Sequence, residues 1–157
     1  MRSRVPGRAG GARRPRVSDA RRRLCDLDHA LTQYSRRRRR DAIGRYDPYG
    51  PQLRFHAAGA EARERLFMAG NQLGKTLAGA MEVAIHLTGR YPDWWRGRRF
   101  PGPTRWWVGG VTAEGVRDNP QRRLLDATDG PALPPDAVIA ATPARGTSGA
   151  IDRLRVR

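Results

Sequence analysis

Apolar positions along this chain recur in two rhythms, and the points where one gives way to the other mark its elements. Leu24, Leu27 and Leu31 repeat at helical spacing and predict a short amphipathic helix that needs a partner to pack against, with His29 off the stripe as a surface histidine. Beyond the turn-rich run at residues 46–56, YDPYGPQLRFH, a helix polar on one side is expected to continue through Ala57 to Glu64. Residues 65–68 read as a short buried strand, and Leu77, Ala80, Met81, Ala84 and Leu87 return to helical spacing. Gly89 and Pro92 supply the stop signals of a helix C-terminus.

Further on, residues 105–111, RWWVGGV, read as a second buried strand, with Thr112 as the cap of a following helix. Asn119 and Pro120 either interrupt that helix or begin a new one. Residues 130–150 are loop-like, full of Pro, Ala and Gly, and residues 151–157, IDRLRVR, resume the alternation of a strand. Strand, helix, strand, helix is the order of a parallel α/β sheet. A chain that stops inside a strand pattern is expected to be part of a larger domain.

Composition adds a strong bias of charge. The 157 residues suffice for one domain of ordinary size, and their net charge is +16, carried almost wholly by arginine because Lys75 is the one lysine. Residues 1–40 hold 14 arginines against Asp19, Asp26 and Asp28, a net +11 of that total. Such a front attracts polyanions. Residues 1–23 have almost nothing to bury and are expected to be a disordered Arg-rich tail, followed by a helical basic lead-in over residues 24–45. The unbroken run Arg36, Arg37, Arg38, Arg39 and Arg40 reads equally as a solvated face or as a nucleic-acid contact. Cys25, the lone cysteine, excludes an intramolecular disulfide and points to a reducing compartment. Neither a membrane-spanning apolar run nor the apolar core of a signal peptide is present, so a cytoplasmic protein is expected.

The candidate chemistry lies where the first strand meets its helix. Ala69, Gly70, Asn71, Gln72, Leu73, Gly74, Lys75 and Thr76 match a relaxed phosphate-binding loop, in which alanine stands where the usual pattern begins with glycine. Chance produces this relaxed pattern in about one chain in a hundred of this length, so its setting must decide. In such a loop glycine lets the backbone curl around phosphate, and the helix behind it offers its positive dipole end. Lys75 would reach the β- and γ-phosphates of ATP, and the Thr76 hydroxyl would ligate Mg2+. The fold class expected is therefore α/β, a P-loop NTPase-type parallel sheet with flanking helices. Gln52, just upstream, reads from its residue type alone as a surface glutamine, although its amide has a donor and an acceptor to offer an adenine edge. Trp94 and Trp95 favour covering the edge of a core over stacking on bases.

Taken in order, PYGPQLRFH, MAGNQLGKT, YPDWWRGRRF, RWWVGGVTAEGVRDNPQRRLL and GAIDRLRVR resemble the start of the ATPase domain in the large terminase subunits of tailed bacteriophages, over roughly residues 20–157. Those subunits are the motors of viral genome packaging. The resemblance implies that residues 46–157 are the N-terminal part of a P-loop ATPase domain, with Gln52 on adenine, residues 69–76 as the Walker A loop, and ATP and Mg2+ as cofactors. It also implies double-stranded DNA, the small terminase subunit and the capsid portal as partners, and a homo-oligomer in the full motor. A phage or prophage gene in a bacterial cytoplasm follows.

Two departures from that family pattern stand out. Some large terminases carry an arginine finger in the loop, where this chain has Asn71 and Gln72. No apolar strand ending in paired acids, the Walker B element, occurs before Arg157, and the family's C-terminal nuclease domain is expected to be missing too. The expectation is an N-terminal fragment that hydrolyses ATP feebly or not at all on its own. Two alternatives stay open: another P-loop ATPase or translocase, and a non-catalytic basic polypeptide that binds nucleic acid.

Overall fold

The structure, a computed structural model, describes residues 17–127 and 130–157; for residues 17, 18 and 38–40 it describes the backbone alone. The expected disordered tail at 1–23 therefore lies mostly outside the described residues. Two units are distinguished, Met1–Ser35 and Arg36–Arg157.

The leucine stripe folds into helix α1, Val17–Arg40, which at 24 residues is longer than expected and takes in residues 17–23, correcting the disordered reading of that part of the tail; Leu24, Leu27 and Leu31 all remain exposed on it. His29 is a surface residue, as expected, within hydrogen-bonding distance of Gln33 one turn on.

The core of the second unit gathers on helix α3, Lys75–Thr88, which follows α2, Gly50–Ala58. One face of α3 offers Ala80, Met81, Ala84 and Ile85 to Ile43, Tyr46, Trp95, Leu124, Ala132 and Leu133. Small residues at 78, 80 and 84 let neighbouring backbone come close, while full burial of Ile85 and Met81 contributes about 1.5–3 kcal/mol each. Gly89 ends the helix in the left-handed conformation, with φ 65°, that its missing Cβ permits. Trp95 is buried against this core and Trp94 packs on its edge, as their sequence setting suggested.

Helix α2 stops six residues short of the expected Glu64. Beyond Ala58 the backbone turns at Gly59 and Ala60, and Arg65 returns to donate to the Phe55 carbonyl at 2.7 Å, occupying one of the acceptors that a helix end leaves open.

The two expected buried strands are not formed. Residues 65–68 have no regular secondary structure but keep a strand-like alternation of burial, Arg65 and Phe67 half-buried and Leu66 and Met68 81% and 79% exposed. Phe67 stacks on Phe55 of α2, so one face is covered; no described strand pairs with this segment to cover the other. Residues 105–111 likewise form no strand and are exposed, Trp107 at 96%.

Helical structure resumes at α4, Ala113–Val116, where the Thr112 hydroxyl accepts from Gly115 N at 3.0 Å as a cap should. A π-helical segment, Arg117–Gln121, then carries the chain into α5, Arg122–Leu125. Pro120 has no N–H to give its helical partner, and the helix widens around it rather than ending.

The described strands form one antiparallel ribbon, β1 (Val138–Pro143) with β2 (Ile151–Val156), in which Ala141 faces Leu154 and Thr142 faces Arg153. Strand β2 falls where alternation placed it. Strand β1 lies inside the region read as loop, because VIAAT is too short to declare itself until β2 supplies its ladder. The Gln121 side chain ties this ribbon to the helical stretch, donating to Gly149 O and accepting from Ile151 N, both at 2.8 Å. Helices and strands are thus both present, and among the described residues no parallel sheet accompanies them.

Candidate functional site

The first intrahelical bond of α3 runs from Ala78 N to Gly74 O at 2.9 Å, so the helix leaves the amides of Lys75, Thr76 and Leu77 without an internal partner. Ahead of them the backbone curls through two left-handed residues, Gln72 at φ 61° and Gly74 at φ 70°. For glutamine that conformation costs about 1–2 kcal/mol, a strain that surrounding contacts must hold.

Lys75 folds back over this curl. Its ammonium donates to Ala69 O at 2.7 Å and to Gly70 O at 2.6 Å, so two of its three hydrogens are committed and one is left over. Asn71, Gln72, Leu73 and Thr76 are exposed, whereas Gly74 and Lys75 are half-buried. Thr76 is thus an exposed residue in the first turn of α3, next to Lys75 in the chain.

The structure brings Gln52 to this loop from 22 residues away. The side chain is buried, its Oε1 accepts from Tyr49 N at 3.3 Å, and its Nε2 donates to Gly74 O at 3.2 Å. Its neighbour Tyr49 donates its hydroxyl to Leu73 O. The contact is close enough that a Cβ on residue 74 would sit 2.7 Å from Gln52 Nε2. The surface reading of Gln52 is therefore corrected: pairing across α2 and the loop buries it. Tyr49 carried no sequence signal beyond its place before a helix-opening Gly–Pro.

Two turns further along α3, Glu82 anchors a second cluster. His56 Nδ1 lies 2.8 Å from Glu82 Oε2, Tyr46 Oη lies 3.1 Å from His56 Nε2, and Arg65 pairs with both Glu82 oxygens. Burial works to raise the Glu82 carboxyl, but hydrogen bonds and charge from His56 and Arg65 outweigh it and hold the group below its ordinary range. Burial raises the Tyr46 hydroxyl well above its usual value. His86, the next histidine on α3, has its Nε2 4.0 Å from Glu82 Oε1 and is held below the ordinary histidine value by burial, with Glu82 pulling the other way. The far side of its ring meets the Tyr91 hydroxyl at 3.0 Å, and Trp106 stacks on its face. A charge inside an apolar helical face, Glu82 between Met81 and Val83, was the sequence signal for this cluster.

Of the arginine run, Arg36 and Arg37 stand exposed on α1, and the side chains of Arg38, Arg39 and Arg40 fall outside the described residues. The contacts that shape the loop come from α2 and α3. Among the described residues no group of three or more His, Cys, Asp and Glu side chains is placed to hold a metal ion, and no helix is long and apolar enough to cross a membrane.

Residues 66–110 match the family model described as terminase large subunit, T4likevirus-type, N-terminal. The chain is also 38% identical over 130 residues to the terminase large subunit of Salmonella phage P22. That alignment covers 71% of this chain and 26% of the relative, so the chain spans about a quarter of the length of the protein it matches. No solved structure matches it. The family model begins just before the loop and ends in the segment of residues 105–111, so the match takes in the loop and the whole of α3.

Proposed function

The chain belongs to the terminase large-subunit family, and from that premise we propose that it is the nucleotide-binding front portion of a DNA-packaging ATPase. The observation that carries this reading is the Lys75 ammonium, pinned by two loop carbonyls at the mouth of α3 with one hydrogen left for an anion. A cation held this way is positioned before any ligand arrives, and the open amides of Lys75, Thr76 and Leu77 add donors beside it.

The residues present fit a magnesium-bound nucleoside triphosphate. Lys75 and the amides that begin α3 would hold its phosphates, Thr76 would offer its hydroxyl to Mg2+, and the second Nε2 hydrogen of Gln52, not donated to Gly74, would serve the adenine edge. When bound, Mg2+ would supply charge neutralisation to the phosphates. In the whole protein this site would belong to a parallel P-loop sheet and drive translocation of double-stranded DNA, in a host cytoplasm, with the small subunit and the portal as partners. The roles assigned to this chain's residues are binding roles. Arg36 and Arg37, with the rest of their run, are the proposed DNA contact, because exposed arginines on one helix end give charge without a demand for sequence.

Titration calorimetry of MgATP into the protein and into Lys75→Ala tests the site. Loss of a charge-assisted contact is expected to weaken binding about 10- to 100-fold. Equal affinity in both proteins would overturn the assignment of the loop.

A further inference from the structure

The two carbonyls that precede Lys75 are both gripped from outside the loop. Leu73 O accepts the Tyr49 hydroxyl, and Gly74 O accepts Gln52 Nε2 at 3.2 Å while also accepting Ala78 N at 2.9 Å. Gln52 cannot drift, because its other amide end is fixed on Tyr49 N and the side chain is only 2% exposed. The gripped stretch contains the left-handed Gln72 and Gly74, the conformations least inclined to hold themselves. From this geometry we propose that Tyr49 and Gln52 are positioning residues for the phosphate loop: the start of α2 clamps the end of the loop and sets its shape before any ligand binds.

The ligand part of this proposal rests on the phosphate reading of the loop and extends it in one direction. If Gln52 served only an adenine edge, it would matter only for ligands that carry a base. As a clamp it matters equally for a bare polyphosphate, since what it fixes is the backbone that meets phosphate. Tyr49, exposed and outside the loop motif, acquires a role by the same reasoning.

The test compares magnesium tripolyphosphate with MgATP by titration calorimetry in the wild type, Gln52→Ala, Tyr49→Phe and Lys75→Ala. Loss of clamp hydrogen bonds, one in Tyr49→Phe and two in Gln52→Ala, is expected to weaken tripolyphosphate about 3- to 10-fold in each variant, with MgATP weakened equally in Tyr49→Phe and at least as much in Gln52→Ala. Weakened ATP with unchanged tripolyphosphate in Gln52→Ala, or unchanged binding of both in Tyr49→Phe, overturns the proposal.

Amide hydrogen exchange on the ligand-free proteins supplies a second readout that does not depend on nucleotide. In both clamp variants the amides of residues 71–78 should exchange faster, while those of residues 81–86 keep their wild-type rates. Unchanged exchange at 71–78 in Tyr49→Phe, the variant that leaves the core untouched, refutes the clamp. Should the wild type bind neither ligand better than Lys75→Ala, the phosphate reading falls, and exchange alone decides whether the loop is clamped.

Discussion

Helix α3 joins two surroundings that differ in nearly every physical respect. From Met81 onward it is enclosed: Ile85 and Ala84 are inaccessible to solvent, and Glu82 has His56 and Arg65 as partners. At Lys75 it opens onto an exposed loop, preceded by a segment without regular structure whose Leu66 and Met68 face solvent. In the enclosed part a charge is tolerated because every oxygen is satisfied, and removing one member strands the others. In the open part backbone conformation is held by a few contacts from α2, and side chains stay available. Stability resides in one half of the helix, and the proposed ligand site lies in the other.

Replacing Glu82 should break the enclosed half most severely. Glu82→Ala leaves His56 and Arg65 facing a vacated site, and a loss of about 3–5 kcal/mol is expected in urea unfolding. A loss under 1 kcal/mol would mean that the cluster is not the anchor described.

At the boundary between the halves, Gly74→Ala should cost about 1–3 kcal/mol, since it forces a side chain into a positive φ and against Gln52. Because the strain falls on the clamp, ATP affinity should drop with it; stability lost without any change in affinity would separate the loop from its grip.

Acid should weaken the enclosed half while sparing the open one. His86 is held below its ordinary 6.5, so the unfolded chain takes up that proton first and stability falls as pH drops through about 6.5. Glu82 is held below its ordinary 4.5, so its contribution is present above that value and lost as pH falls further, through its folded pKa. Unfolding midpoints measured from pH 8 down to about 2 should therefore decline in both steps, with the first step missing in His86→Phe.

The smallest effect is expected where the chain is most open. Trp107→Ser, at a side chain 96% exposed, should change stability by no more than about 0.5 kcal/mol. A larger loss in thermal unfolding would show that residues 105–111 are covered in solution.

Local signals in the sequence located α3, its Gly89 stop, the Thr112 cap and strand β2, because each depends on spacing or on a residue's own conformational preference. The phosphate-loop pattern was legible for the same reason: glycine, lysine and threonine stand next to one another in the chain. Burial was less legible. Residues 65–68 and 105–111 have the composition of buried strands, yet a strand is defined by what pairs with it, and the described residues place no ladder beside either segment. Strand β1 shows the converse, a weak run that becomes a strand because β2 returns to it.

What the sequence determined by itself, then, is the order of the helices, the place of the loop and the concentration of arginine at the front, all consequences of chemistry within a few residues. Only the tertiary structure decided that Gln52 lies buried against Gly74, that Tyr49 holds Leu73, and that Glu82 is shared between His56 and Arg65. These contacts span from 17 to 26 residues. No local preference encodes them; they exist because packing α2 on α3 removes water from polar groups that must then find one another.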